Sequence, residues 1–402
     1  MSVTTSPIPV AEPSIAATLF PIVAVIFSGF LVIGLAMPAL PLHVHQGLGF
    51  DTFVVGLVAG SQFAASLISR FTAGHLADTR GVKRVVIAGL IAASVAGLLY
   101  GLSLEFVDMP AFSLAILLLG RAILGGAESF MVAGALNWGL ALAGPANTGR
   151  VMSWVGTAIY VAYAAGAPAG SALYARHGFT AIAFATMLIP LLTLFVVAPL
   201  RGIAPSRHAR PALTKVLGAI WLPGLGMALS SVGFGAITTF VVLLFARNGW
   251  NAAWLALSLV SLGFVIGRLI FGHLPDRIGG PLVALVCILI EAAGQALIWL
   301  ATMPVLVFAG AALAGLGYSL VYPGFGVEAV RRAPPESRGL AMGAYTACLD
   351  LTLGVTTPLL GLIAGVAGLN AVFLASTLVV LSGAVIALWL IRTAGLSHRS
   401  LP

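Results

Sequence analysis

The stretch GHLADTRG, Gly74 to Gly81, returns almost unchanged as GHLPDRIG, Gly272 to Gly279, 198 positions later in a chain of 402 residues. An arginine stands four residues upstream of each copy, Arg70 and Arg268. Only 7% of the residues are charged, against about a quarter in an ordinary soluble domain, and 60% are hydrophobic. A charged octet repeated in so apolar a setting marks a repeated structural position.

Both copies sit at the end of a long apolar run. About 20 such residues cross a hydrocarbon core of about 30 Å, and a backbone in lipid must satisfy its own polar groups, which selects helices. Apolar runs between turn and charge signals fall near 17–42, 53–73, 84–103, 111–142, 148–174, 178–199, 216–246, 252–273, 281–301, 304–328, 338–365 and 369–392. The sequence therefore predicts an all-α polytopic membrane protein with twelve transmembrane helices.

Positive charge is retained on the cytoplasmic side, which orients the chain. With the N-terminus inside, the inner segments hold Arg80, Lys83, Arg84, Arg150, Arg201, Arg207, Arg210, Lys215, Arg277, Arg331, Arg332, Arg338, Arg392 and Arg399, and the outer segments only Arg176 and Arg247. Fourteen against two predicts that both termini are cytoplasmic. The first 17 residues lack Lys and Arg, so the first run is expected to persist rather than be cleaved as a signal peptide.

The longest basic connector, Arg201 to Lys215, contains Pro205 and Pro211 and lies between the sixth and seventh runs. The expected organisation is a cytoplasmic segment over 1–16, a six-helix bundle over 17–199, a basic linker over 200–215, a second six-helix bundle over 216–393 and a cytoplasmic tail over 394–402. Each octet then begins at the inner end of the second span of its half, and the second half reads as a duplicate of the first.

A net charge of +8 raises nucleic acid as a partner, but only two of the 19 basic residues are lysines and no basic stripe carries interleaved aromatics. Topology accounts for the charge, and no nucleic acid is expected. Cys287 and Cys348 stand alone in apolar runs, without metal-type spacing. No GxSxG, P-loop, HExxH or dinucleotide fingerprint appears in a fitting context, so an enzyme is not expected. His43 and His45, in the first outer connector, could meet substrate at an entrance but are too few for a metal site.

The octet with its flank, Gly74-His75-Leu76-Ala77-Asp78-Thr79-Arg80-Gly81-Val82-Lys83, resembles the loop signature between spans two and three of the major facilitator superfamily, G-x-L-A-D-basic-x-G-basic-basic. Thr79 and Val82 replace basic residues of that signature, and the second copy has Pro275 for its alanine and Gly280-Pro281 for its basic pair. Arg121 in Gly120-Arg121-Ala122-Ile123-Leu124-Gly125 looks like the arginine of the family's fourth-span signature. Gly156 with Gly166-Ala167-Pro168-Ala169-Gly170 is similar to the exporters' fifth-span glycine-proline motif, without its Gly-Pro order. The set Arg121, Gly125, Glu128-Ser129, Gly134 and Gly166-Ala167-Pro168 looks most like the bacterial YhhS/YfcJ-type transporters. The resemblance implies two six-helix bundles related by pseudo-two-fold symmetry, in the inner membrane, rocking about a midplane site lined by spans one, four, seven and ten.

At the membrane edge, Gly81 and Gly279 supply the turn, Asp78 and Asp276 can accept from a neighbouring helix N-terminus, and Lys83 and Arg84 can pair with that carboxylate or with lipid phosphate. With Gly74 these residues form the expected gating latch, Asp78 its stronger half; a plain tight turn is the alternative. A charge inside the bilayer costs at least about 2.5–3.5 kcal/mol and invites a reason. Arg121 and Glu128 lie seven residues apart on one face of span four but about 10.5 Å apart along the axis, so each needs a partner on another helix or an ion between them. Glu128 is the expected proton-coupling group, or else a permanently paired carboxylate; Arg121 holds an anionic group or sets the proton affinity of Glu128. Asp350 serves as a second proton site, a counter-charge to Arg121, or a buried hydrogen-bonding group.

Glu291 and Gln295 read as a helix-packing pair, and Glu328 and Arg331 as an inner-gate or snorkelling pair. Gln62, Asn137, Tyr160, Tyr163, Ser230, Ser231, Thr238 and Tyr318 are candidate cavity polar residues or glue between helices. Gly56 and Gly60 read as packing surfaces, and Pro38, Pro168, Pro323 and Pro358 as kinks. The expected function is a proton-coupled exporter of a small organic molecule, monomeric, in contact with membrane lipid, without cofactor and powered by the proton gradient. Import of a sugar or organic acid, and a non-transporting receptor or scaffold, are the alternatives.

Overall fold

The computed structural model describes residues 15–144, 147–200, 202–203, 213–334 and 338–397. The N-terminal segment, most of the basic linker with Arg201, Arg207 and Arg210, and the tail end with Arg399 lie outside the described residues. The helices are α1 (Ile15–Leu42), extended by a π-helical turn (His43–Gly47), α2 (Thr52–Arg80), α3 (Val82–Leu104), α4 (Pro110–Ala143), α5 (Thr148–Val197), α6 (Leu213–Arg247), α7 (Ala253–Phe271), α8 (Leu274–Ile278), α9 (Gly280–Trp299), α10 (Pro304–Tyr318), α11 (Val321–Arg332), α12 (Arg338–Ala367) and α13 (Leu369–Ser397). No strand occurs among the described residues. All twelve apolar runs are helical.

Local chemistry fixes many helix ends. Asp51 caps α2 by accepting from the Val54 N–H at 3.0 Å, and Pro110 and Pro304 open α4 and α10, where no intrahelical N–H is needed. The fifth and sixth runs join in α5 through Gly178, whose φ of 64° reverses the chain without a Cβ penalty. The arm before Gly178 packs on α1, with Gly166 against Gly34. The arm after it packs on α3, with Met187 against Gly97. The tenth run is broken: α10 stops at Tyr318, Ser319 and Leu320 intervene, and α11 carries Pro323.

The two octets differ in backbone. α2 runs unbroken through the first octet to Arg80, but α7 stops at Phe271 and restarts as the short α8. Pro275 stands where the first copy has Ala77, and a proline ring clashes with the carbonyl four residues back while lacking an N–H to bond it. Both copies end on a glycine with positive φ, Gly81 at 88° and Gly279 at 96°, so the sharp turn survives in each.

The helices form two bundles, α1–α5 and α6–α13, with corresponding contacts. α4 lies on α2 with Gly125 against the Gln62 carbonyl, and α10 lies on α7 with Gly315 against the Val260 carbonyl. The bundles meet along two seams, α2 with α12 and α5 with α7. Successive spans reverse direction, so Gly81, Gly144, Leu200, Gly279 and Ala333 share one end, the linker end. The π-helical turn, Gly178 and Gly368 share the other, the hairpin end. Toward the hairpin end the seams are tight: Gly56 and Gly60 sit against Gly354, Thr357 and Pro358, Thr52 Oγ1 donates to the Gly361 carbonyl at 2.8 Å, and Ser258 Oγ to the Ala164 carbonyl at 2.9 Å. Toward the linker end, a Cβ on Gly74 or Gly343 would meet no atom within 4 Å.

Large apolar side chains such as Leu98, Phe184, Phe195, Leu269, Val366 and Val385 are exposed on the outside, whereas Gln62, Glu128, Ser129, Glu291, Gln295 and Asp350 are buried. That inversion, apolar outside and polar within, suits a lipid solvent. The chain is a multi-pass membrane protein.

Candidate functional site

A cavity of about 230 Å³ lies between the bundles. One bundle contributes Phe30 of α1, Phe63 and Arg70 of α2, Glu128, Val132 and Leu136 of α4, and Met152, Gly156, Tyr160 and Tyr163 of α5. The other contributes Met227 and Phe234 of α6, Phe264 and Arg268 of α7, Tyr318 and Tyr322 of α10 and α11, and Thr346, Leu349, Asp350 and Leu353 of α12. The lining follows α4 from Glu128 to Leu136, about 12 Å toward the linker end. Toward the hairpin end, Phe63, Tyr163 and Phe234 close it, and the same three rings face a second pocket of about 40 Å³ that also holds Gln62, Arg121 and Thr238.

Glu128 is buried on α4, and its Oε2 accepts from Gln62 Nε2 on α2 at 2.8 Å. Among the described residues no ion pair involves it. Gln62 thus joins the two pockets: its amide nitrogen holds the carboxylate of the large one, and the residue itself lines the small one. One turn along α2, Ser66 Oγ lies 2.9 Å from Ser129 Oγ, and Ser129 Oγ donates to the Ser66 carbonyl at 2.8 Å. Gly125 allows this approach, because a Cβ there would strike the Gln62 backbone.

Asp350 pairs across the seam with Arg70, whose Nε donates to Oδ2 at 2.8 Å and whose Nη2 makes a second contact with the same oxygen. Ser66 Oγ reaches that oxygen at 3.4 Å. Of the roles expected for Asp350, counter-charge to Arg121 is therefore wrong. Arg70 takes that place because it lies on α2, which faces α12 directly. Arg121 points away from the large cavity. Its Nε reaches the Val58 carbonyl at 3.3 Å and its Nη1 the Tyr100 hydroxyl at 3.4 Å, so its surroundings are α2 and α3.

The remaining candidates divide. Tyr160, Tyr163 and Tyr318 line the large cavity, and Gln62 and Thr238 the small pocket. Asn137 is exposed and lines neither. Ser231 accepts from the Tyr318 hydroxyl at 3.4 Å, and Ser230 donates to Glu291. Glu291 and Gln295 are buried between α9, α6 and α13, where Gln295 donates to the Gly233 carbonyl and accepts from Ser376, each at 2.9 Å. Glu328 holds both Arg331 and Arg332 at 2.8 Å. His43 is buried rather than at an entrance, stacked on Phe179 at 4.1 Å, and His45 Nδ1 lies 2.7 Å from the Phe50 carbonyl.

In the expected latch, Gly81 and Gly279 turn the chain, and Arg84 and Asp276 are exposed. Lys83 donates to the Ala198 and Leu200 carbonyls, both at 2.8 Å. It therefore closes the end of α5 onto α3, and among the described residues it pairs with no carboxylate. Such carbonyls carry the negative end of the helix dipole and attract a cation.

Sequence reasoning missed Arg70, Arg268 and the rings of Phe30, Phe63, Phe234 and Phe264 as cavity residues. The two arginines did carry a signal, their equal placement before the octets. The phenylalanines carried none, because helix rotation decides which apolar residues face inward.

A family description, Major Facilitator Superfamily, matches residues 22–256 and 224–401. The uncharacterized MFS-type transporter STM4428 of Salmonella typhimurium is 39% identical over 381 residues, covering 95% of this chain and 98% of that protein. The uncharacterized MFS-type transporter YhhS of Escherichia coli K12 is 40% identical over 375 residues, covering 92% and 93%. Among solved structures, a bacterial homologue of the human lysosomal transporter Spinster, described as inward-facing and unoccupied, superposes with a TM-score of 0.75 at 12% identity, covering 95% of this chain and 98% of that one.

Proposed function

The chain belongs to the major facilitator superfamily, and from that premise we propose that it is a proton-coupled exporter of a small organic molecule that works by alternating access. The observation that carries the coupling role is Glu128. It is a buried cavity carboxylate held by one neutral amide, whereas Asp350 is tied to Arg70. A carboxylate without a fixed counter-charge can change protonation in each cycle, and intramembrane acids commonly serve such relays.

The geometry also supports the direction of proton movement. Gln62 connects Glu128 to the small pocket at the hairpin end, which the basic-residue bias assigns to the outside. A proton arriving there has only the Gln62 side chain to pass before it reaches Glu128, and the large cavity extends from Glu128 toward the linker end, the proposed cytoplasm. The cycle then rocks the bundles along the α2/α12 and α5/α7 seams. Arg70 and Asp350 tie the bundles together beside the cavity, and the latch octets flank the inner opening.

The test is flux in proteoliposomes under an imposed pH gradient. Glu128→Gln is expected to keep substrate exchange and lose gradient-driven accumulation; unaltered accumulation in that variant would sink the coupling role. Import of an organic acid with a proton uses the same carboxylate, and one observation favours it as the second possibility: Arg268, a cation on the cavity wall, has no carboxylate partner among the described residues. Efflux against uptake of a labelled substrate in intact cells separates the two.

A further inference from the structure

The duplication is uneven in one respect. Arg70 and Arg268 lie 198 positions apart, and the same offset relates α2 to α7 in their packing: Gln62 and Val260 each present a carbonyl to a glycine of the next helix, Gly125 and Gly315. Those two glycines fix an offset of 190 between α4 and α10. The seams fix the same offset between α5 and α12, because Gly60 lies on the Gly354 carbonyl as Ser258 lies on the Ala164 carbonyl. Carried 190 positions, Glu128 falls on Tyr318; carried back 190, Asp350 falls on Tyr160. The arginine is kept in both halves, and each cavity carboxylate, Glu128 in the first half and Asp350 in the second, is matched by a tyrosine in the other half.

Arg268 is consequently left without the partner that Arg70 has. Tyr160, in the place of Asp350, stacks on Phe264 with ring centroids 3.4 Å apart, and the Arg268 guanidinium carbon lies 5.9 Å from the Phe264 centroid. A Cβ on Gly156 would lie 3.7 Å from that guanidinium carbon, so the facing helix leaves room beside it. Arg268, Tyr160 and Phe264 all line the large cavity. Arg70 and Asp350 cancel each other there, which leaves Glu128 on α4 and Arg268 on α7 as the charges on opposite walls. A guanidinium offers a planar fork of donors that matches a carboxylate or another oxyanion, and the ring faces beyond it suit an apolar body.

We propose that Arg268, with Tyr160 and Phe264, forms a subsite for the anionic group of an amphipathic organic anion, whose apolar part lies against Phe234, Phe30 and Phe63. This subsite rests on the cavity being a transport site, but not on the direction of transport or on proton coupling.

The test is equilibrium binding to the purified full-length protein without a gradient, so a failure of proton-driven flux leaves it unaffected. The probes are a naphthalene carboxylate, its neutral carboxamide and sodium sulfate, measured by calorimetric titration and thermal shift. The carboxylate is expected to bind about 10- to 100-fold more tightly than the carboxamide, as for a charge-assisted hydrogen bond to a partly buried cation, and sulfate at least about tenfold more weakly than the carboxylate. Arg268→Gln brings the carboxylate down to the carboxamide level without changing the latter, and Arg268→Lys keeps part of the preference. Tyr160→Asn removes a ring of the subsite and weakens both probes in parallel, keeping their ratio; Tyr160→Asp, the same size as Asn, abolishes the ratio as well, because an aspartate there satisfies Arg268 as Asp350 satisfies Arg70. Should Arg268→Gln fail to fold, the probe pair on the native protein and the Asn/Asp pair at Tyr160 still decide. Equal affinity for carboxylate and carboxamide, binding of neither, a preference that survives Arg268→Gln, or identical behaviour of the two Tyr160 variants overturns the proposal. Sulfate binding as tightly as the carboxylate overturns its amphipathic part.

Discussion

Adding one methyl group at Gly60 should open the hairpin end. A Cβ there would lie 2.6 Å from Thr357 Oγ1, 2.8 Å from the Gly354 carbonyl oxygen and 3.1 Å from Pro358 Cδ, all on α12 in the other bundle. Ordinary contact begins near 3.4 Å, so the Gly354 carbonyl must retreat by about 0.6 Å. Thr357 cannot simply rotate away, because its hydroxyl donates to the Gly56 and Leu353 carbonyls. Overpacking of this kind costs about 1–3 kcal/mol, and at about 1.4 kcal/mol per tenfold Gly60→Ala shifts the ratio of hairpin-closed to hairpin-open molecules by roughly 5- to 150-fold. Spin labels at Gln46 and Asn248, both exposed at the hairpin end and in different bundles, report the change by double electron–electron resonance. The distance distribution is expected to move to longer values. Gly74→Ala, at a position with no atom within 4 Å, is the matched control and should leave it unchanged. An unmoved distribution in a folded, monodisperse Gly60→Ala sample would refute the claim that this seam holds the hairpin end shut.

Other perturbations test separate contacts. Asp350→Ala leaves Arg70 without its partner and should destabilise the protein by about 3 kcal/mol, while the double variant Arg70→Met/Asp350→Leu should recover most of that loss in detergent melting curves. Lys83→Met removes both donors from the Ala198 and Leu200 carbonyls and should lower stability by about 1–3 kcal/mol without changing substrate affinity. Gln62→Leu removes the amide that holds Glu128, so the pH profile of transport should move relative to the native protein, whereas Glu128→Gln should flatten it. Glu291→Gln, outside the cavity and bonded to Ser230, should leave transport and its pH profile unchanged.

The fold was legible in the sequence because a bilayer imposes a one-dimensional code: run length, terminal charge and the repeated octet. Those signals located the twelve spans, and the Pro-for-Ala exchange at 275 was visible as a weakening of the second copy. The break that Pro275 makes in α7 was not foreseen, since the same apolar run reads through it. The site was legible only in part. Glu128 and Asp350 announce themselves as charges in apolar runs, but their partners depend on which helices meet. Arg70 lies 280 positions from Asp350, and nothing local links them. Arg121 announces itself in the same way yet turns toward Tyr100 and Val58, because rotation about the helix axis is not written in any short motif.

The partition formed by Phe63, Tyr163 and Phe234 is one ring thick, with the cavity on one side and the small pocket on the other. The two spaces are therefore separated by little more than the width of these side chains. So thin a septum must also be quiet. Tyr163 is braced edge-on by Phe30 at 5.7 Å and Tyr160 at 5.9 Å, and Phe234 is stacked on Tyr318 at 5.5 Å. An unbraced ring would turn on the nanosecond scale of free side chains and would not keep the two spaces apart. The aromatic crowding at the centre of this molecule is thus a braced wall between two spaces.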